Sequence, residues 1–280
     1  MEEIFITRKP VNLFLQKYIS YYYFHDSIKG STAKKYAFYP NTKCALTIYK
    51  DSDVEFSSNH SKTVPSEKKE LIFLYSGIQN KMRTAEIQVP FKKIGIVFQE
   101  LGINHFIDQP LSEIMDNPIE KHFNFFKNDF TKNCFTIYNE KSIDEKIKIL
   151  DAFFMDKYVD FKEILLKQSI ELILNSNQKL SIIDLCEQLK TNRKTLLRLF
   201  KKHLCCTTKE YINIVQFRKA LNDYLLINKK TSLTNIAISN EYYDQAQFIN
   251  HFKKLTGINP KKFFNNIQHL GNEDTFWTFM

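Results

Sequence analysis

The chain has 280 residues, a hydrophobic fraction of 43%, a charged fraction of 25%, and only 6 glycines and 7 prolines. That length suggests two domains, and the composition excludes collagen, low-complexity disorder and a chain built of many tight hairpins. The net charge is +9; residues 166–280 hold 17 basic and 9 acidic side chains, so nearly all the excess lies there.

A basic segment joined to a neutral one points to a polyanion partner for the basic part, although a solvated basic surface would have the same charge. The longest apolar runs, such as Ile72-Phe73-Leu74-Tyr75, fall far short of the ~20 residues that span a bilayer. Met1-Glu2-Glu3 is acidic where a secretion signal would be basic. The expectation is a cytoplasmic protein with no membrane partner. Five cysteines, Cys44, Cys134, Cys186, Cys205 and Cys206, include no C-x-x-C, which speaks against a disulfide scaffold or zinc ribbon. Cys205-Cys206 reads as two small apolar residues after a helix, with a redox pair as the other reading.

In chain order, Val11–Phe24 fits a helix or a strand, and Tyr21-Tyr22-Tyr23-Phe24 favours the strand. Runs rich in β-branched and aromatic residues then predict strands at Tyr36–Tyr39, Cys44–Tyr49, Val54–Ser57, Leu71–Tyr75, Ala85–Val89 and Lys93–Gln99. Turn signals at Asp51-Ser52-Asp53, Ser76-Gly77 and Val89-Pro90 separate them. Short helices are expected at Ile103–Phe106 and Leu111–Met115, around Pro110. This spacing of strands suggests a sandwich or small barrel.

Near residue 140 the apolar period changes to 3.6. Ile143, Ile147, Leu150 and Phe154 share one helical face, and Ile164, Leu165, Ile170, Leu172 and Ile173 form a second apolar helix. From there to about 267 only helices are expected. The fold class is α+β: a β-rich barrel or sandwich at 1–140, a helical linker or dimerisation segment at 141–175, an all-α double helix-turn-helix at 176–268, and a tail at 269–280.

The basic half repeats itself. Phe200-Lys201-Lys202 recurs as Phe252-Lys253-Lys254, Tyr211 is answered by Phe263, Lys209 by Lys261, and Leu196 by Phe248. Ser181-x-x-Asp184-Leu185-Cys186 matches Ser232-x-x-Asn235-Ile236-Ala237, and the second copy is one residue longer between Ile236 and Phe252. In the first copy Ser181 is an N-cap candidate and Ile182, Leu185 and Leu189 form the buried stripe. Lys190-Thr191-Asn192 is short enough to be the turn. The next helix, about 193–204, buries Leu196, Leu199, Phe200 and Leu204 and shows Lys194, Leu197, Arg198 and Lys201 outward. Helix, tight turn and helix with a polar outer face is the helix-turn-helix layout, whose second helix enters the major groove.

The second copy shows Gln245, Ala246, Gln247, Asn250 and Lys253 outward. Gln and Asn pair bidentately with adenine, and Arg with guanine. A joining helix at about Lys209–Leu226, with Tyr211, Val215, Leu221 and Leu225 inside, would set two recognition helices on one face of DNA. Successive grooves on that face lie ~34 Å apart.

These residues resemble the AraC/XylS-type transcription regulators over about 175–268. Ile236-Ala237, Tyr243-Asp244-Gln245-x-x-Phe248 and Phe252-Lys253-Lys254-x-Thr256-Gly257-Ile258-Asn259-Pro260-x-x-Phe263 carry the signature region, and Leu196-x-Arg198-x-Phe200-Lys201-Lys202 matches the first recognition helix. The chain departs from the pattern at several places. Glu241 stands where the family usually has the turn glycine, so that a left-handed residue there would be Asn240 or a rebuilt turn. Gln216 and Asn250 replace frequent arginines, and Leu197 replaces a polar residue and would meet a thymine methyl. The strand-rich half followed by two helices is similar to the sensor half of such regulators. Gly95-Ile96-Val97-Phe98-Gln99, Phe106 and Leu111-Ser112-Glu113 resemble an N-terminal domain of some members.

The resemblance implies double-stranded DNA as partner, a small-molecule effector at the N-terminal half with no residue assigned to it, RNA polymerase where the protein activates, and a homodimer. The helix at 143–158 is the candidate dimer surface, or else a cover for the barrel. Arg198 and Lys194 are assigned to bases, Arg193 and Lys201 to phosphates, Gln245, Gln247 and Asn250 to bases and Lys253 to phosphate.

An enzyme is not expected. The seven histidines, at 25, 60, 105, 122, 203, 251 and 269, form no H-x-H or H-x-x-x-H, so no metal centre is predicted. No G-x-S-x-G, Walker or G-x-G-x-x-G motif occurs, and no cofactor is implied. Cys44 and Cys134 lie alone, without a nearby His or further Cys, which speaks against reactive thiols, and His203 and His251 read as structural. The alternative function is a protein-interaction module that has kept the helical fold and lost specific DNA binding.

Overall fold

The computed structural model describes residues 4–27, 33–57, 59–116, 119–120, 123–176, 180–226, 232–269 and 276–279. Up to residue 120 the elements are β1 (Ile4–Arg8), β2 (Ile19–Ser27), β3 (Lys34–Phe38), β4 (Ala45–Lys50), β5 (Ser52–Ser57), β6 (His60–Pro65), β7 (Leu71–Ser76), β8 (Arg83–Ile87), β9 (Phe91–Phe98), α1 (Leu111–Ile114) and β10 (Ile119–Glu120). One antiparallel sheet has the order β1-β2-β9-β4-β7-β10. The second contains β3-β8-β6-β5, in which β6 and β8 run parallel.

The segment that fitted either helix or strand resolves into a 3-10 turn at Leu15–Lys17 followed by β2. Ile103–Phe106 lies on a second 3-10 turn, Gly102–His105. Alternation assigns the two faces of the first sheet. Leu46 and Ile48 of β4 and Ile94, Ile96 and Phe98 of β9 enter the main core. Thr47, Tyr49, Lys93 and Val97 face a cavity on the other side. Gly95 is required there, because a Cβ would collide with the ring of Tyr23.

The helical part comprises α2 (Lys127–Asn139), α3 (Ile143–Asp156), α4 (Ile164–Asn175), α5 (Ile182–Gln188), α6 (Arg193–Leu204), α7 (Thr208–Leu226), α8 (Leu233–Ser239), α9 (Gln245–Thr256) and α10 (Pro260–Asn266). Helix α2 lies inside the segment expected to be strand-rich. Its Phe130, Cys134 and Ile137 are buried against the sheet. The apolar face of α3, Ile147, Leu150, Phe153 and Phe154, is spent on the same core, so it covers the first sheet.

That core is continuous from the first sheet through α2, α3 and α4 into Leu185, Leu196, Leu199, Phe200 and Tyr211. A second core holds Phe217, Leu221, Ile236, Phe248, Phe252, Phe263 and Phe264 together with Ala37 and Tyr39. The chain then returns to the strands: β11 (Gln268–His269) pairs with β12 (Phe276–Phe279), and β12 pairs antiparallel with β3, Thr278 opposite Ala37. Residues 270–275 and 280 of the expected tail lie outside the described residues. Among the described residues no helix is long and apolar enough to cross a membrane, and no group of three His, Cys, Asp or Glu could hold a metal ion.

Candidate nucleic-acid interface

The first helix-turn-helix unit is built by caps. Ser181 Oγ accepts from Asp184 N at 3.2 Å while Asp184 Oδ2 accepts from Ser181 N at 2.9 Å, which satisfies two free donors at the start of α5. Lys190 turns the chain with φ 48°, and Thr191 N donates to Cys186 O at 2.9 Å. Asn192 then caps α6 through Oδ1, accepting from Thr195 N at 2.9 Å. Leu196, Leu199, Phe200 and Leu204 are buried, as their spacing predicts. Arg193, Lys194, Leu197, Arg198 and Lys201 are all exposed. Helix α6 stops at Cys205, which adopts the left-handed conformation, φ 54°, and donates N–H to Lys201 O at 3.2 Å.

The joining helix α7 begins with a reciprocal cap, Thr207 N to Glu210 Oε2 at 2.8 Å and Glu210 N to Thr207 Oγ1 at 3.1 Å. Burial at the Glu210 carboxyl is outweighed by these hydrogen bonds and that from Asn80, leaving its pKa below the usual value. Tyr211, Val215 and Leu221 are buried and Leu225 is half-buried. Gln216 donates from Nε2 to Asn240 O at 3.0 Å and so holds the end of α8.

In the second unit Ser232 caps α8, accepting from Asn235 N at 3.1 Å. The left-handed turn residue is Glu241 itself, φ 55°. Asn240, expected to supply that conformation, has φ −106° and donates from Nδ2 to Asp223 Oδ2 at 2.8 Å. The side chain of Asn240 thus ties the end of α8 to α7, and the left-handed φ falls on the next residue. Asp244 caps α9, with Oδ1 accepting from Gln247 N at 2.7 Å. Gly257 closes α9 at φ 74°, donating to Lys253 O at 2.9 Å. Gln245, Ala246, Gln247, Asn250 and Lys253 are exposed. Gln247 is less free than its spacing suggests, because its Oε1 accepts from Tyr243 N at 2.8 Å.

Among the described residues no ion pair engages Arg193, Lys194, Arg198, Lys201 or Lys253. Their charges are therefore presented to solvent on the two outer faces. Sequence reasoning missed Tyr243, which is 91% exposed beside the α9 cap. Its signal was the one-residue difference between the two copies.

Both units lean on the strand-rich half. Met82 N donates to Leu255 O at 2.7 Å, Asn80 Nδ2 to Glu210 Oε1 at 2.6 Å, and the rings of Tyr39 and Phe263 meet edge to face at 4.6 Å. Between the two sheets lies a cavity of about 190 Å³, walled by Tyr21, Tyr23, Tyr36 and Tyr49. Buried Lys93 faces it, with Nζ 3.3 Å from Tyr36 Oη, and Arg218 of α7 also lines it.

A family model described as a helix-turn-helix domain matches residues 185–266. The Msm operon regulatory protein of Streptococcus mutans serotype c is 34% identical over 90 residues, which are 32% of each chain. The match thus spans about a third of that relative. Among solved structures, unsaturated fatty acid bound wild-type ToxT from Vibrio cholerae strain SCE256 is 12% identical, with a TM-score of 0.47 over 86% of this chain and 97% of that one. ToxT from Vibrio cholerae O395 is 15% identical, with a TM-score of 0.42 over 84% and 94%. The paired units, their capped turns and the matched span agree: residues 185–266 of this chain form a helix-turn-helix domain.

Proposed function

We propose that the protein is a sequence-specific DNA-binding transcription regulator whose helices α6 and α9 read two successive major grooves. The observation that carries this reading is the pair of capped helix-turn-helix units, each with an exposed polar outer face, joined by the single 19-residue helix α7. At 1.5 Å per residue α7 is about 28 Å long, comparable with the ~34 Å between grooves on one face of DNA.

In the first unit Arg198 and Lys194 read base edges, Leu197 meets a thymine methyl, and Arg193 and Lys201 hold phosphates. In the second, Gln245 and Asn250 read bases, Ala246 allows close approach, and Lys253 holds a phosphate. Gln247 reads with its amide N–H groups alone while its oxygen serves the cap, so it faces an acceptor such as guanine O6 or N7 rather than pairing bidentately with adenine. The cavity between the sheets is the proposed effector site. Its aromatic walls suit a small ligand with an apolar body, and its lining residue Arg218 lies on the helix that spaces the two readers.

The test is selection of the full chain on random duplex DNA at two salt concentrations. The expected result is one site with half-sites one helical turn apart, and a log–log salt slope near −0.9 per phosphate contacted. Weak, salt-insensitive binding with no enriched sequence would replace this reading with the protein-interaction module.

A further inference from the structure

The two units differ by one residue, and the turn geometry identifies it. Left-handed Lys190 answers left-handed Glu241, and the bond from Thr191 N to Cys186 O answers that from Tyr242 N to Ala237 O, each 51 residues on. From the N-caps onward the interval is 52: Asn192 answers Asp244, and left-handed Cys205 answers Gly257. The added residue is therefore Tyr243.

Tyr243 contributes little to the core. The residue is 91% exposed, the highest value among the exposed large hydrophobic residues described. Its backbone, in contrast, is pinned. The N–H is held by Gln247 Oε1 at 2.8 Å, its neighbour Tyr242 is buried with Oη 2.7 Å from His251 Nδ1, and Asp244 caps the helix that follows. A large ring is thus carried on a pinned backbone at the N-terminal shoulder of α9, next to Gln245 and Ala246. That is the end of a recognition helix that meets base edges.

We propose that Tyr243 is a specificity-determining DNA contact of the second unit, its ring packing on the 5-methyl group of a thymine. The proposal rests on the DNA-binding reading above. Two features favour a base edge over the backbone. The thymine methyl is the apolar group of the major groove, and the adjacent Asp244 carboxylate repels a phosphate approaching Tyr243 from its own side.

The test uses the full chain and the duplex it selects. Each thymine of the α9 half-site is replaced in turn by deoxyuridine, which lacks only the methyl group. Wild type is expected to lose affinity about fourfold at one position, the worth of roughly one buried methyl group. Tyr243→Ala should lose a similar factor on the thymine duplex and ignore the uracil exchange, while Tyr243→Phe should behave as wild type. Because the ring is exposed, both variants should melt at the wild-type temperature. Indifference of the wild type to uracil at every position overturns the assignment while leaving the regulator reading intact. So does a Tyr243→Phe defect as large as that of Tyr243→Ala, which would place the hydroxyl on a phosphate. Failure of the wild type to select any sequence overturns both.

Discussion

Asn104 donates from Nδ2 to the main-chain oxygen of His203 at 3.1 Å, and both residues are buried. Asn104 lies on the 3-10 turn of the strand-rich half, and His203 in the last turn of α6. The final carbonyls of a helix have no partner within it, so the N-terminal half supplies one for α6. Asn104→Ala leaves that carbonyl buried and unpaired and should cost about 1–3 kcal/mol. Urea unfolding of the full chain measures it; an unchanged midpoint would mean the bond is not made in solution.

Acid should weaken the same junction. His105 is held to a pKa of about 4, first by burial and then by the nearby Lys167 charge, against an ordinary value of 6.5. Its ring lies against Tyr18 at 4.3 Å, and its Nδ1 sits 3.4 Å from the donating N–H of Phe161, which requires the unprotonated nitrogen. Below pH 6.5 the unfolded chain takes up a proton that the native imidazole refuses. The stabilising effect of the neutral form is therefore complete above pH 6.5 and is lost as pH falls towards 4, by about 3 kcal/mol at most. Burial shifts His203 in the same direction. The check is the stability of His105→Gln minus that of wild type at pH 7 and pH 4.5; the gap between them should narrow in acid, and a constant gap would contradict it.

Helix α6 was legible to the residue because a capping Asn, an apolar stripe and basic outer positions all agree on it. Helix α2 was not. Its span KNDFTKNCFTIYN is polar and rich in Asn and Thr, both weak helix formers, and only packing of Phe130, Cys134 and Ile137 on the sheet overrides that preference. Strand β6 escaped notice for a similar reason. HSKTVP has little apolar alternation, and its pairing with β5 and parallel with β8 is a tertiary fact. The outer faces of α6 and α9 followed from period alone. The diversion of Gln247 into a cap and the left-handed Glu241 did not, because each depends on which of two neighbours takes a hydrogen bond.

The left-handed end of α6 gives a prediction on stability. Cys205 bears φ 54° where the second copy has Gly257. A side chain in that region costs roughly 1–2 kcal/mol, more when β-branched, whereas glycine adopts it freely. Cys205→Gly should leave the melting temperature equal or higher, and Cys205→Val should lower it. The opposite order in a thermal melt would show that the α6 end is not left-handed.

Gln247 allows fold and reading to be separated. Gln247→Glu keeps an oxygen for the Tyr243 N–H and puts a negative charge in the first turn of α9, where the helix dipole favours it by about 0.3–1 kcal/mol. In the proposed complex the same charge would face the DNA. The variant should therefore melt at or above the wild-type temperature yet bind its selected duplex at least tenfold more weakly. Loss of both properties together would mean that Gln247 acts through folding and not at the groove.

Arg198 and Lys253 should fail in different ways, and the difference tests their roles. Arg198 stands outward on α6 one turn beyond the N-terminal positions that meet base edges. Removing a fork that pairs with guanine should cost ~1–3 kcal/mol on the selected site and relax preference at one base pair, with little change on unrelated DNA. Lys253 lies in the last turn of α9, on the flank expected to meet the backbone. Lys253→Ala should weaken every sequence alike and reduce the magnitude of the log–log salt slope by about one. Affinities of both variants for the selected and a scrambled duplex, each at several salt concentrations, separate the two outcomes. A sequence preference untouched by Arg198→Ala would remove α6 as a reader, and one altered by Lys253→Ala would move that residue from the backbone to a base.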